Sequence, residues 1–220
     1  MSGVSEDARA LWIVAPGQVE VRPVTVAPGA DDVMIETLYT GISRGTERLV
    51  LDGRVPESEH GTMRAPLQEG EFPYPVKYGY CAVGRVTGGA ATGQVVFVLH
   101  PHQTRFACPA PMAVQVPEGV PPGRAVLAAN METALNILWD AQIAAGDRVA
   151  VVGAGTVGAL VGYLAARVPG TEVTLIDRDA ARGPLAEAFG CGFVAPEQAE
   201  GRADVVIHAT ACAAGLATAI

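Results

Sequence analysis

The chain has 220 residues with a net charge of −8 and a pI near 5.0; half of the residues are hydrophobic and 17% are charged. This composition excludes a disordered chain and supplies enough apolar side chains for a buried core. An acidic balance without a basic stripe argues against nucleic-acid binding. Four cysteines without a C-x-x-C pattern, and a polar first segment unlike a signal peptide, predict reduced thiols and a cytoplasmic location.

The first half of the chain consists of short apolar segments separated by glycine and proline. A loose start is predicted over residues 1–10 and a long surface loop over residues 52–76. Apolar runs with β-branched residues predict strands at residues 11–14, 19–24, 32–39, 78–86 and 95–99, with two shorter ones at Phe106 and at residues 114–116. This pattern predicts a small, partly closed β-barrel that forms a domain over residues 1–120.

The second half, residues 121–220, alternates between helices and strands. A helical region is predicted over residues 124–144. It is followed by strands at residues 149–152, 173–176, 193–194 and 205–208, and by helices at residues 159–167, about 184–189 and from 213 onward. This alternation predicts an α/β fold with a doubly wound parallel sheet of the Rossmann type.

The sheet predicted for the second half has four strands, whereas a complete sheet of this type has six. We therefore expect the chain to be truncated at its C-terminal end, or a partner to supply the missing edge. A bare strand edge at residues 205–208 would invite pairing with another chain, so the formation of a homo-oligomer is left open.

A glycine motif lies between the first predicted strand of this sheet and the helix after it. Residues 153–158 read G-x-G-x-x-G. Gly153 permits a tight turn, Gly155 has no Cβ to block a pyrophosphate, and Gly158 lets the helix lie close to the strand. Residues 149–166 are apolar enough to suggest a membrane helix, but the glycines favour a strand and a helix, and no membrane partner is expected.

The acidic residue that ends the second strand of this sheet predicts the cofactor. Asp177 can accept both ribose hydroxyls of an adenosine and repel a 2′-phosphate, which predicts NAD rather than NADP, although Arg178 beside it softens the preference. The cofactor-binding candidates in this half are Gly153, Gly155, Thr156, Val157, Gly158, Asp177, Arg178 and Thr210.

A β-rich first module, a linking helix and a nucleotide-binding βαβ unit together resemble the medium-chain dehydrogenase/reductase superfamily. The resemblance covers nearly the whole chain and implies a GroES-like β-barrel domain followed by a Rossmann domain. Zinc alcohol dehydrogenases of this superfamily carry Gly-Ile-Cys where this chain has Gly41-Ile42-Ser43, and Gly-His-Glu where it has Gly79-Tyr80-Cys81. Their third zinc ligand would fall near Ala129 or Asn130, and their four-cysteine structural zinc lobe is absent from this sequence.

Two segments, GISRGTERLVLDGRVP and YPVKYGYCAVGRV, are similar to a zinc-free branch of the superfamily that includes the bacteriochlorophyllide a dehydrogenases. The resemblance implies catalysis without zinc, and it places Ser43, Thr46 and Tyr80 at the active site. It also implies that Arg44 contacts the cofactor phosphates and that Thr133 lies beside the nicotinamide. An alternative for this loop is a turn followed by a helix, with Thr46 as the N-cap.

Two histidines in the segment His100-Pro101-His102 allow several interpretations. His100 is a candidate proton relay. The H-x-H spacing, with Cys108 as a third ligand, would allow a metal site, whereas the favoured alternative is one buried histidine with a satisfied hydrogen bond and one at the surface. The catalytic candidates are therefore Ser43, Thr46, Tyr80 and His100, and no metal ligand is assigned.

These observations predict an NAD(P)-dependent oxidoreductase that acts, without zinc, on a secondary alcohol or its ketone as a small-molecule substrate. The first alternative is a quinone- or enone-reducing enzyme, which the resemblance associates with NADPH. The second is a nucleotide-binding fragment without turnover. Lys77 is the only lysine, and nothing near it in the sequence supports Schiff-base chemistry.

Overall fold

The computed structural model describes residues 6–220, so residues 1–5 of the predicted loose start lie outside the described residues. The chain divides into two compact units, of which the first ends at Ala128 and the second begins at Ala129. The predicted boundary lay after residue 120, so the segment that follows this boundary groups with the β-rich unit.

The first unit is built from short antiparallel strands. They are β1 (Glu6–Ala15), β2 (Gln18–Val26), β3 (Asp32–Thr40), β4 (Glu69–Gly70), β5 (Val76–Lys77), β6 (Ala82–Val86), β7 (Val95–Val98), β8 (Arg105–Pro109) and β9 (Val114–Gln115). One sheet has the order β2-β1-β5-β4 and the other the order β8-β3-β6-β7-β9. Two short α-helices, α1 (Thr46–Leu51) and α2 (Pro122–Ala125), and two single-turn 3₁₀ helices, Glu57–Glu59 and Ala110–Met112, complete the unit.

Each sheet of the first unit contributes to its own apolar cluster. Ile35 and Phe106 lie in the cluster of the larger sheet, and Ile13, Val50 and Val76 lie in that of the smaller one. Val50 belongs to α1, so burial of this side chain fixes the helix against the smaller sheet. Burial of each such side chain stabilises the fold by about 1.5–3 kcal/mol.

The second unit contains a four-stranded parallel sheet with helices. Its elements are α3 (Ala128–Asp140), β10 (Arg148–Val152), α4 (Thr156–Ala165), β11 (Glu172–Ile176), α5 (Gly183–Phe189), β12 (Gly192–Val194), β13 (Val205–His208) and α6 (Ala213–Ala219), with 3₁₀ turns at Ala180–Arg182 and Pro196–Gln198. The strand order is β12-β11-β10-β13, and every pair is parallel. The order reverses between β10 and β13, and parallel sheets of this kind bind ligands at such a switch point.

The helical region predicted over residues 124–144 is not continuous. α2 ends at Ala125, α3 begins at Ala128, and α3 stops at Asp140. The stop has a backbone cause: Gln142 adopts a positive φ of 53°, and the Ile143 N–H donates to the Leu138 carbonyl in a Schellman-type ending.

Three other predictions for the first unit are corrected by the structure. The loose start is strand from Glu6 onward, because β1 pairs along its length with β2. The predicted loop over residues 52–76 contains a 3₁₀ turn and the short strands β4 and β5. The strand predicted over residues 78–86 begins only at Ala82, since Gly79 has a φ of 136°, which interrupts an extended run.

The apolar stretch that resembles a membrane helix forms strand β10, the glycine loop and α4. Across residues 6–220, none of the helices is both long enough and apolar enough to span a bilayer.

Candidate functional site

The glycine motif forms the connection from β10 to α4. Gly153 follows the strand with a φ of 106°, and an added Cβ there would lie 2.8 Å from the Thr210 side chain. A Cβ on Gly158 would lie 1.8 Å from the carbonyl oxygen of Gly153, so only glycine permits this approach of helix and loop. Gly155 is different: its φ is −69° and nothing lies within 4 Å of an added Cβ. The loop therefore leaves open space at the start of α4, where free N–H groups attract an anion.

Asp177, which follows β11, contacts this loop directly. The Ala154 N–H donates to Asp177 Oδ2 at 2.7 Å, and the Asp179 N–H donates to Asp177 Oδ1 at 2.9 Å. An ionised carboxylate has about four acceptor positions, so two backbone bonds leave capacity for ribose hydroxyls. Asp177 thus holds the loop in addition to the role that the sequence predicts for it.

Thr210 and His208 lie at the carboxyl end of β13, on the other side of the switch point. The Thr210 hydroxyl is 2.6 Å from His208 Nε2, and the Thr210 methyl group faces Gly153. The structure therefore brings Thr210 to the glycine loop, and its role in cofactor binding stays a prediction. The thiol of Cys212 lies 3.4 Å from the same hydroxyl, and hydrogen bonds from Thr210 and Gly215 lower the pKa of this exposed cysteine.

The remaining cofactor candidates have less specific surroundings. Thr156 is exposed at the first position of α4, whereas Val157 is half-buried against the core of the second unit. Arg178 is exposed beside Asp177, and Arg44 is exposed on the loop before α1. Thr133 is exposed on α3, and its hydroxyl donates to the Ala129 carbonyl within the helix.

In the first unit, a buried carboxylate connects the loop that contains Ser43 to the histidine segment. The Ser43 N–H donates to Glu47 Oε1 at 2.8 Å, and His102 Nε2 lies 2.8 Å from Glu47 Oε2. The side chains of Glu47 and His102 are each 10% exposed. The sequence did not indicate Glu47, because Glu47 and His102 are 55 positions apart. Only His102 was considered in the sequence, as a metal ligand.

The charge of Glu47 reaches the segment before β6. Burial raises the pKa of Cys81 to about 11, and the Glu47 carboxylate adds to the effect. Burial, followed by Tyr80 and Glu47, raises the pKa of Tyr78 to about 12. Tyr80 is half-buried, with its ring edge-to-face with Tyr78 at 6.2 Å. The Tyr78 hydroxyl and the Cys81 thiol therefore both keep their protons at neutral pH.

Thr46 is the first residue of α1 and not its N-cap. The N-cap is Gly45, which makes no side-chain bond to the helix. The start of the helix is stabilised instead by Glu47, whose carboxylate accepts the Ser43 N–H across the preceding turn. The alternative in which Thr46 caps the helix is therefore wrong.

His100 and His102 do not share a site with Cys108. His100 is buried, its Nδ1–H donates to the Pro101 carbonyl at 2.8 Å, and its ring stacks on Phe106 at 3.8 Å. Burial lowers the pKa of His100 to about 4, despite the opposing effect of the bond to Pro101. Burial, with a smaller effect of Asp32, raises the pKa of the Cys108 thiol to about 11. Within residues 6–220 no three such side chains are grouped for a metal ion.

Lys77 is buried, with 2% of its side chain exposed. Its ammonium group donates to Gln103 Oε1 at 2.6 Å and pairs with Glu69. Burial and these two partners close the amine off from a carbonyl substrate. The structure therefore gives Lys77 a place in the folding of β5 rather than in Schiff-base chemistry.

The fold is shared with solved dehydrogenases. The chain is similar to a putative zinc-binding dehydrogenase from Sinorhizobium meliloti bound to NADP, with a TM-score of 0.78 and 22% identity over 96% of this chain and 72% of the other. It is also similar to L-idonate 5-dehydrogenase from Escherichia coli, with a TM-score of 0.80 and 13% identity over 100% and 74%. A thermostable alcohol dehydrogenase from Pyrobaculum aerophilum gives a TM-score of 0.75 and 22% identity over 95% and 72%.

No protein-family model matches the sequence, and no curated protein matches it. At these identities the similarity establishes the fold, a GroES-like β-rich domain followed by a Rossmann-type sheet, and this prediction is confirmed. These structures share the fold, and both the superfamily and its zinc-free branch stay predictions from the sequence.

Proposed function

We propose that the protein is a zinc-independent oxidoreductase that transfers a hydride between NAD and a secondary alcohol or its ketone. The observation that carries the proposal is the glycine loop, which has open space at Gly155 and Asp177 bound to its backbone. This arrangement fits a dinucleotide, because the start of α4 offers free N–H groups to a pyrophosphate and Asp177 retains acceptor positions for a ribose. Bound NAD would supply the hydride acceptor.

In this proposal, side chains of the first unit replace a metal ion as partners of the substrate oxygen. Ser43, Thr46 and Tyr80 supply hydroxyl donors, and such donors stabilise a developing charge when they are fixed in advance. The depressed pKa of His100 keeps its ring neutral near pH 7, so it would act there as a hydrogen-bonding group. Arg44 and Thr133 would complete the cofactor contacts.

Turnover assays separate this function from its alternatives. We expect reduction of NAD with isopropanol or cyclohexanol, and we expect protein purified without chelators to contain less than one equivalent of zinc by elemental analysis. Faster turnover of cyclohexenone or benzoquinone with NADPH would favour the enone-reducing alternative. Binding of NAD without turnover of any of these substrates would favour a nucleotide-binding protein. One equivalent of zinc would contradict the zinc-free assignment.

An Asp177→Asn variant is expected to reduce the preference for NAD over NADP at least about tenfold, which corresponds to ~1.4 kcal/mol. The amide keeps an acceptor oxygen for the Ala154 N–H but removes the charge that repels a 2′-phosphate. The measurement is calorimetric titration with both cofactors. Asp179→Asn is the matched control, since it removes a charge two residues away and should leave the ratio nearly unchanged. Equal affinities of the parent protein for NAD and NADP would count against this assignment of Asp177.

A further inference from the structure

Glu47 and His102 form a buried acid–histidine pair that the roles proposed above do not use. Both carboxylate oxygens of Glu47 are engaged, Oε1 by the Ser43 N–H and Oε2 by His102 Nε2. A carboxylate only accepts hydrogen bonds, so the proton of this contact belongs to Nε2. A neutral imidazole in that tautomer has a free lone pair on Nδ1.

Nδ1 of His102 is available to a ligand. It has no hydrogen-bond partner among the residues that the structure describes. Among those residues, no fully enclosed side-chain nitrogen or oxygen lacks a partner, so Nδ1 keeps contact with solvent. A histidine whose one nitrogen is fixed by a carboxylate and whose other nitrogen is open has the arrangement of a general base.

The backbone around the ring is shaped to admit it. Gly79 has a φ of 136°, and a Cβ at that position would lie 3.1 Å from His102 Cδ2 and Nε2. His100 offers a contrast within the same segment. Its Nδ1–H is bound to a carbonyl, its ring is stacked on Phe106, and burial makes it a weak base.

We propose that His102 Nδ1 is the proton acceptor in the oxidation of the alcohol, and that Glu47 is the positioning residue that fixes its tautomer and the Ser43 loop. In this step the C–H bond of the carbinol breaks and its electron pair leaves as hydride to NAD. The O–H bond of the hydroxyl group on that carbon also breaks. Its proton moves to Nδ1, and the electron pair of the O–H bond forms the C=O bond. Glu47 then faces the imidazolium and stabilises it. The inference rests on the proposed function.

The first test uses ¹⁵N NMR of protein labelled at histidine, with the His102→Gln spectrum to assign the signal. In the neutral ring of the parent protein we expect a protonated Nε2 and an unprotonated Nδ1. In Glu47→Gln we expect the amide oxygen to keep accepting the Ser43 N–H, so that the amide NH₂ faces Nε2. Because an NH₂ group donates, Nε2 must then accept, and the ring proton moves to Nδ1. The opposite tautomer in the parent protein would overturn the proposal without any measurement of activity.

The second test measures kcat and KM for isopropanol in Glu47→Gln. We expect kcat to fall at least about a hundredfold, because a wrong tautomer removes the base. The affinity for NAD is retained, because the tautomer of His102 does not change the binding of the cofactor. Glu20→Gln is the matched control, since it removes an exposed carboxylate from the same unit and should retain at least half of kcat. An active parent with an equally active Glu47→Gln variant would overturn the role of the pair. A parent that turns over no alcohol would overturn the proposed function instead.

Discussion

Replacing Gly158 by alanine is expected to abolish measurable NAD binding and to lower the free energy of unfolding by at least about 3 kcal/mol, the upper range for overpacking. The new Cβ would lie 1.8 Å from the carbonyl oxygen of Gly153, and a backbone atom cannot rotate away as a side chain can. The loop or α4 must therefore move. Calorimetric titration with NAD and urea unfolding measure the two effects.

Gly155→Ala is the control that separates the loop's shape from its contact with the ligand. Gly155 has a φ of −69° and open space around an added Cβ, so alanine fits without strain. Such a substitution typically leaves stability unchanged or raises it by about 0.4–1 kcal/mol. Affinity for NAD should nevertheless fall at least about tenfold, because the methyl group occupies the approach of the pyrophosphate. A Gly155→Ala variant that binds NAD as well as the parent would refute this location of the phosphates.

The contrast between these glycines shows why the nucleotide loop could be predicted from sequence. Its three constraints lie within six residues, and each follows from the absence of a Cβ at a fixed position in a strand–turn–helix unit. The strands β10, β11 and β13 were similarly evident, because buried parallel strands appear as continuous apolar runs. What the motif did not predict is that Asp177 uses both oxygens on backbone N–H groups.

The site in the first unit could not be predicted in the same way. The contact between Glu47 and His102 joins residues far apart in sequence, and spacing carries no information about such pairs. The helix α1 was offered only as an alternative, and its N-cap was assigned to Thr46, because the actual cap, Gly45, makes no side-chain bond. The burial of Lys77 was missed because its strand, β5, has only two residues and its partners Glu69 and Gln103 come from separate segments.

His100 provides a test of the interior of the first unit through its response to pH. Burial lowers the pKa of this ring from the ordinary value of 6.5 to about 4, against the opposing hydrogen bond to Pro101, and the charges of Lys77 and His102 contribute in the same direction as burial. The folded protein therefore binds this proton less tightly than the unfolded chain does. The stabilisation is complete above pH 6.5 and is lost as the pH falls toward 4.

We expect the parent protein to lose about 3 kcal/mol more stability than a His100→Asn variant between pH 7 and pH 4. Asparagine keeps a side-chain N–H near the position of Nδ1 for the Pro101 carbonyl but does not titrate in this range. The measurement is urea unfolding of both proteins at several pH values. The contribution of the carboxylates that they share cancels in the difference between their free energies of unfolding. His60→Asn is the matched control, since it makes the same replacement at a half-buried histidine of the first unit. If parent and His100→Asn curves run parallel from pH 7 to pH 4, the ring of His100 is not held neutral by burial, and its place against Phe106 must be more open to water than its stacking at 3.8 Å implies.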